Sequence, residues 1–228
     1  MSYFDKNKAY WEMGYPAENV DHPVYRGLWG RILKPDFPQF VGGKLLDFGC
    51  GQGANTYFMH TRGFDVRGVD ISETDITAAK KKYPDIADKF SICELRPQDN
   101  AFYGFEGDIS VVMGIQAFYY FTDSDLKVLV DKLYASMKKG GVFYATMMGE
   151  ESKEFFDNST AGEDGLRIVN FKNTRLDVKD YCMSFVKDEA SLKRKFSQFK
   201  PLHIGYYTAK FRSDEGNGMH WTFCGIKE

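Results

Sequence analysis

Three glycines at alternate positions, Gly49, Gly51 and Gly53, follow the short apolar run KLLDF. Glycines spaced in this way let a backbone come close to a ligand. A loop of this kind, between a strand and its helix, lies where open α/β sheets bind ligands, beyond the carboxyl ends of the strands. An acid, Asp70, closes the next strand-like segment, FDVRGVD. An acid about 20 residues beyond the glycine loop can accept both hydroxyls of a ribose. Each feature alone fits a tight turn or a capping residue. Together they point to an adenosine-containing ligand.

Three ligands compete for this loop. No GxxxxGK[ST] string follows the first strand, so a Walker phosphate loop is absent. Gly49, Gly51 and Ala54 formally satisfy the dinucleotide pattern GxGxxG/A. A pyrophosphate would sit at the helix N-terminus, and the carboxylate of Asp47 at the loop mouth would repel it. S-adenosylmethionine carries a sulfonium and an ammonium and no phosphate, so Asp47 favours it. Tyr134 and Lys138 form a YxxxK string, the catalytic pair of short-chain dehydrogenases. The loop lacks the matching GxxxGxG, so the pair reads as a tyrosine and a lysine in the last turn of a helix.

The elements that must position these residues alternate in type. The spacing of Val24, Leu28, Ile32 and Leu33 predicts a helix that KPDFP breaks. From Lys44 the order is strand, loop and helix, repeated: KLLDFG, a helix to about Arg62, FDVRGVD, then SETDITAAKKKY with Ser72 as its N-cap. KFSICEL and GDISVVMG read as further strands. DSDLKVLVDKLYASMKKGG reads as a helix ended by Gly140 and Gly141, and GVFYATMM as a fifth strand. Residues 150 to about 186 lose the pattern and read as an insertion. A helix and an antiparallel hairpin, PLHIGYYTAKF with GMHWTFCGIK, close the chain. The expected fold is a doubly wound α/β sheet, mostly parallel.

LLDFGCGQG, the acid ending VRGVD, and LYASMKKGGVFYATMM resemble class I S-adenosylmethionine-dependent methyltransferases over about residues 40–150. The resemblance implies a seven-stranded Rossmann-like sheet with an antiparallel last strand. It implies that Gly49, Gly51 and Gly53 lie along the methionine and ribose, with Cys50 as a packing residue. Asp47 would approach the methionine amino group, Asp70 the ribose hydroxyls and Ile71 the adenine. Glu94 and Leu95 match the family's adenine-edge position, and Met113 lies beside the methionine. HIGYY and MHWTF resemble, more loosely, small bacterial methyltransferases of sugar or surface-polysaccharide pathways.

The acceptor side is less defined. Gln116, Tyr119 and Tyr120 follow the fourth strand, where the family places acceptor-facing groups, or they are ordinary packing. Of the four histidines, His220 is the candidate base, with a structural histidine as the alternative. Residues 1–40, with Tyr3, Phe4, Tyr10, Trp11 and Tyr15, are expected to form a helical lid over the domain 41–228, with Arg26 or Arg31 near the cofactor carboxylate. The function expected is methyl transfer to an O or N of a small molecule, a sugar or sugar nucleotide among the candidates. The alternatives are an NAD-dependent oxidoreductase and a non-catalytic binder of S-adenosylmethionine.

Totals set the outer limits. The net charge of -2 gives no electrostatic footprint for nucleic acid. The 16% aromatic share implies a ring-rich core or a ring-walled pocket. Four cysteines without CxxC spacing give no zinc signature, and no metal is expected. The N-terminus lacks an apolar signal segment and no stretch reaches membrane length, so a cytoplasmic monomer or homodimer is expected.

Overall fold

A computed structural model describes residues 2–12, 23–93, 105, 107–170, 181–210 and 218–228. Its centre is a seven-stranded sheet in the order β3-β2-β1-β4-β5-β10-β9. The strands are β1 Lys44–Phe48, β2 Asp65–Asp70, β3 Phe90–Ile92, β4 Ile109–Gly114, β5 Met137–Met148, β9 Lys200–Ala209 and β10 Gly218–Ile226. β1 to β5 pair in parallel, and β10 runs antiparallel to both β5 and β9. This is the mixed doubly wound sheet expected from the alternating pattern. The order reverses between β1 and β4, which opens a crevice above their carboxyl ends.

Side-chain alternation in the strands builds a core on each face. Leu45, Val111, Met113, Val142 and Tyr144 join one cluster, which packs with Leu28, Leu33, Met59 and Ile76. Leu46, Val112, Phe143 and Ala145 join the other, with Leu126, Leu133, Phe196 and Phe223. The rings of Phe143 and Phe199 stack there with centroids 4.3 Å apart. A ring-rich core is therefore one source of the high aromatic content.

The helices follow their local signals. In α5, Glu73–Lys82, the Ser72 hydroxyl accepts the Asp75 N–H, as its N-cap position predicts. In α6, Asp123–Ser136, Thr122 does the same for Asp125. α6 is shorter than expected: Met137 to Gly141 belong to β5 rather than to its last turn. Strand pairing of Met137 with Ile109 wins over the helical period there. Lys138 consequently lies 4.2 Å from the centre of the Phe40 ring. The Tyr134 hydroxyl instead donates to the Glu228 carbonyl. The YxxxK string is thus not a catalytic pair, nor is its lysine helix-terminal.

Three helical pieces run on from one another near the N-terminus: α2 Pro23–Leu28, a π-helical turn Trp29–Leu33 and α3 Lys34–Asp36. KPDFP was expected to break this helix, yet Pro35 lies inside it. The π turn, in which the Lys34 N–H reaches the Trp29 carbonyl, precedes the proline, and the chain leaves the helix at Phe37. Val24, Leu28, Leu33 and Phe40 are buried against the sheet. This stretch is part of the core and not of a lid. Before it among the described residues lies α1, Tyr3–Glu12.

The stretch after β5 forms a small antiparallel sheet, β6 Ser159–Ala161, β7 Leu166–Val169 and β8 Tyr181–Ser184, after the short helix α7 Lys153–Phe156. It is tied to the end of β5 by the Val186 N–H on the Met148 carbonyl. α8, Glu189–Lys195, then leads into β9. Leu133 of α6 is fully buried between these layers. Leu133→Ala should lower the unfolding free energy by about 2–5 kcal/mol in urea titration, through lost transfer energy and a cavity.

Candidate active site

A cavity of about 390 Å3 opens above the carboxyl ends of β1, β2, β4 and β5. Gly49, Cys50 and Gly51 line it from the loop after β1, and Asp70 and Ile71 from the end of β2. Gln116 and Tyr119 line it from beyond β4, and His220 from β10. Eight of the sequence-derived candidates therefore meet at one place.

The loop owes its shape to the end of β2. The N–H groups of Gly49 and Cys50 both donate to the Val69 carbonyl, at 2.8 and 3.0 Å. The Gly51 N–H donates to Asp70 Oδ2 at 2.8 Å, and the Ser72 N–H to Asp70 Oδ1 at 3.0 Å. Burial raises the Asp70 carboxyl pKa, and the Ser72 and Gly51 N–H groups act against that rise. Gly49 has φ +73°, and a Cβ there would come within 2.4 Å of the Ala117 Cβ. At Gly51 a Cβ would meet nothing within 4 Å, so glycine adds free space on the cavity wall.

Five described candidates do not line the cavity: Asp47, Met113, Gly53, Arg26 and Arg31. Asp47 is fully buried, and its Oδ2 accepts the Thr56 hydroxyl at 2.6 Å beneath α4, Ala54–His60. Its strand parity with Leu45 turns it away from the crevice, toward the α4 face. The contrast drawn from Asp47 between a cationic and a phosphate-bearing ligand therefore has no footing in the cavity wall. Met113 shares the parity of Val111 and is core. Gly53 is the left-handed N-cap of α4, and a Cβ there would strike the Phe90 ring at 2.6 Å. Its glycine serves packing. Glu94 and Leu95 lie outside the described residues. Arg26 and Arg31 are exposed and do not reach the cavity.

Other wall residues had weaker signals. Cys93, just after β3, and Met148, ending β5, sit at strand carboxyl ends, where the fold rule alone would have placed them. Asp75, in the first turn of α5, is buried, accepts a hydrogen bond from Gln52 Nε2 at 3.1 Å, and its pKa is raised by burial. Burial also pushes the Cys50 thiol up, with Asp70 and Asp47 adding to it, so Cys50 is no thiolate nucleophile. Asn7 from α1 had no sequence signal at all.

α1 closes the cavity from above, contributing Asn7, Tyr10 and Trp11. The Asn7 amide donates to the Cys182 carbonyl at 2.9 Å and accepts the Cys182 N–H at 2.8 Å. It thereby supplies a strand-like partner to the edge of β8. The Tyr3 hydroxyl donates to Asp125 at 2.5 Å, and Glu12 accepts the Glu73 N–H at 2.9 Å.

The acceptor-side candidates form a connected group. The Gln116 N–H donates to Thr146 Oγ1 at 2.7 Å, and its Nε2 to the Tyr207 hydroxyl at 3.1 Å. Gln116 has φ +58°, an unusual backbone state for a side chain of this size and one that recurs at functional sites. His220 is buried and stacks on Tyr207, with centroids 4.9 Å apart and planes 4° from parallel. The Tyr119 ring lies 5.8 Å from it.

Residues 45–141 match the family model of the methyltransferase domain. A Bacillus subtilis protein named as a methyltransferase, YqeM, is 23% identical over 171 residues, covering 67% of each chain. An uncharacterized methyltransferase of Bacillus mycoides is 32% identical over 113 residues, 48% of this chain and 50% of that one. These matches place a methyltransferase domain of the S-adenosylmethionine-dependent kind in residues 45–141. The methyltransferase fold is shared with a solved S-adenosylmethionine-dependent methyltransferase from Anabaena variabilis, at 17% identity and a TM-score of 0.71 over 100% of this chain and 96% of that one. The Synechocystis magnesium protoporphyrin IX methyltransferase, solved with its cofactor bound, follows at 12% identity and 0.66, over 100% and 98%.

The cofactor of this methyltransferase is S-adenosylmethionine, and the wall suits it. The cavity takes two carboxylates, Asp70 and Asp75, from one side, an environment fit for a cationic adenosine ligand. No helix among the described residues is long and apolar enough to cross a membrane.

The buried Asp47 carries a pH dependence. Burial raises its pKa to about 7, with Asp70 adding to the rise and the Thr56 hydrogen bond opposing it. The unfolded chain loses this proton near pH 4 and the folded one near 7, so the unfolded state binds fewer protons across that window. Stability should therefore fall as pH rises from about 4 to 7, by up to about 1.4 kcal/mol per pH unit from this group. Asp47→Asn should flatten that slope, read from urea midpoints at pH 5 and 7 in the absence of cofactor.

Proposed function

We propose that the methyltransferase moves a methyl group to an oxygen or nitrogen of a small molecule. The observation that carries this is the single cavity running from the glycine loop to His220 beneath α1. Ligand cavities span about 300–1,000 Å3, and this one lies near the lower limit. With the cofactor in one half, the remainder suits a small acceptor and not a macromolecular surface.

In this reading Asp70 holds the ribose hydroxyls, Gly49 and Gly51 leave room for the methionine, and Ile71 and Cys93 bear on the base. Bound S-adenosylmethionine supplies a methyl carbon made electrophilic by its sulfonium. The protein supplies alignment and an environment closed to water. Gln116 and Tyr119 position the acceptor, and His220 takes its proton. α1 acts as the lid, a narrower one than the first forty residues. The sugar nucleotide reading has less support, since Lys82 is the one cation among the described residues of the wall.

S-adenosylhomocysteine and S-adenosylmethionine should raise the melting temperature, and NAD should not. Stabilisation by NAD alone would overturn the proposed site. Asp70→Ala should weaken S-adenosylhomocysteine binding by at least about tenfold in calorimetry, a loss of about 1.4 kcal/mol from the ribose contacts.

A further inference from the structure

The charges of the cavity wall are segregated. Among its described residues, the carboxyl and amino side chains are Asp70, at the end of β2, and Asp75 and Lys82, both on α5. The half above β4, β5 and β10 is walled instead by Gln116, Tyr119, Met148, Phe155 and His220. From above, Trp11 sets its ring edge-on to Tyr120, 5.6 Å away, and Tyr119 lies 4.5 Å from Tyr120 at 51°. Burial holds the Tyr120 phenol well above its ordinary pKa, so it stays neutral. Among the described residues of this half no cationic side chain would meet an anionic acceptor, so only the sulfonium of the bound cofactor would offset its desolvation. A planar ring would find apolar faces and edges on several sides.

The proton narrows the choice further. His220 is the one imidazole among the described residues of this wall. An ordinary imidazole, with a pKa of about 6.5, lies about 3.5 pKa units below a phenol of about 10. It lies about nine units below water or an alkanol, whose pKa is near 16. Removing a proton from a phenol is thus within its reach, and removing one from a sugar hydroxyl is far less so.

We propose that the acceptor is the hydroxyl of a small, uncharged, planar aromatic: a phenol. This rests on the methyl-transfer reading above and names the substrate class for the same site. The phenolic oxygen forms the new O–C bond as the C–S bond breaks, and sulfur keeps that electron pair. The phenol proton passes to His220 and from there to solvent. The atoms and charge balance as S-adenosylmethionine, a sulfonium cation, plus phenol giving S-adenosylhomocysteine, aryl methyl ether and one proton.

The test uses the full chain with S-adenosylmethionine and four probes: 4-ethylphenol, 4-ethylbenzyl alcohol, 4-ethylbenzoate and methyl glucoside. Methylated product is read by mass spectrometry and S-adenosylhomocysteine release by a coupled assay. The phenol should react at least about 100-fold faster than each of the others, in keeping with the usual size of general-base catalysis. His220→Ala and His220→Gln should each lose about 100-fold or more in kcat while S-adenosylhomocysteine affinity and melting temperature stay near the parent's. Equal or faster methylation of the alcohol, carboxylate or sugar would overturn the phenol assignment. So would no product from any probe in a protein that binds S-adenosylhomocysteine. Failure to bind S-adenosylmethionine or S-adenosylhomocysteine would instead overturn the methyl-transfer site itself.

Discussion

The junction of the glycine loop with the end of β2 is the contact on which the site depends. Two loop N–H groups share the Val69 carbonyl, and a third rests on Asp70. That carboxylate also accepts the N–H of Ser72, the N-cap of α5. One acid therefore joins a loop, a strand end and a helix start. Buried backbone donors are costly to leave unmet, so the loop is held to this shape before any ligand arrives. The free space at Gly51 and the place of Asp70 on the wall follow from the same bonds.

The second constraint is the clamp between α1 and the inserted sheet. Asn7 is nearly fully buried and satisfies both backbone groups of Cys182. It closes an edge that would otherwise present open hydrogen-bonding groups. The helix so held brings Tyr10 and Trp11 over the cavity. At its other end Glu12 takes the Glu73 N–H at the first turn of α5, next to the Asp70 junction. The roof and the floor thus share α5.

Much of the fold was legible because its signals are local. The β1 loop, the Ser72 cap and the closing hairpin each depend on a few adjacent residues, and each stands as expected. The end of α6 was misplaced because Gly140 and Gly141 look like a helix stop while strand pairing claims Met137. Asp47, read on charge as a cofactor contact, is turned by its parity with Leu45 toward the Thr56 hydroxyl. Met113 repeats that lesson one strand over.

The sequence by itself determined the sheet, the glycine loop and the acid that follows it, since these rest on short-range periodicity and spacing. Only the tertiary structure decided which side chains share a cavity. Asn7 meets Cys182 across 175 positions, and the Gln116 side chain meets Tyr207 across 91. Such contacts leave no periodic trace in the chain. They arise where separate elements pack, and there burial and hydrogen-bond satisfaction choose the partner.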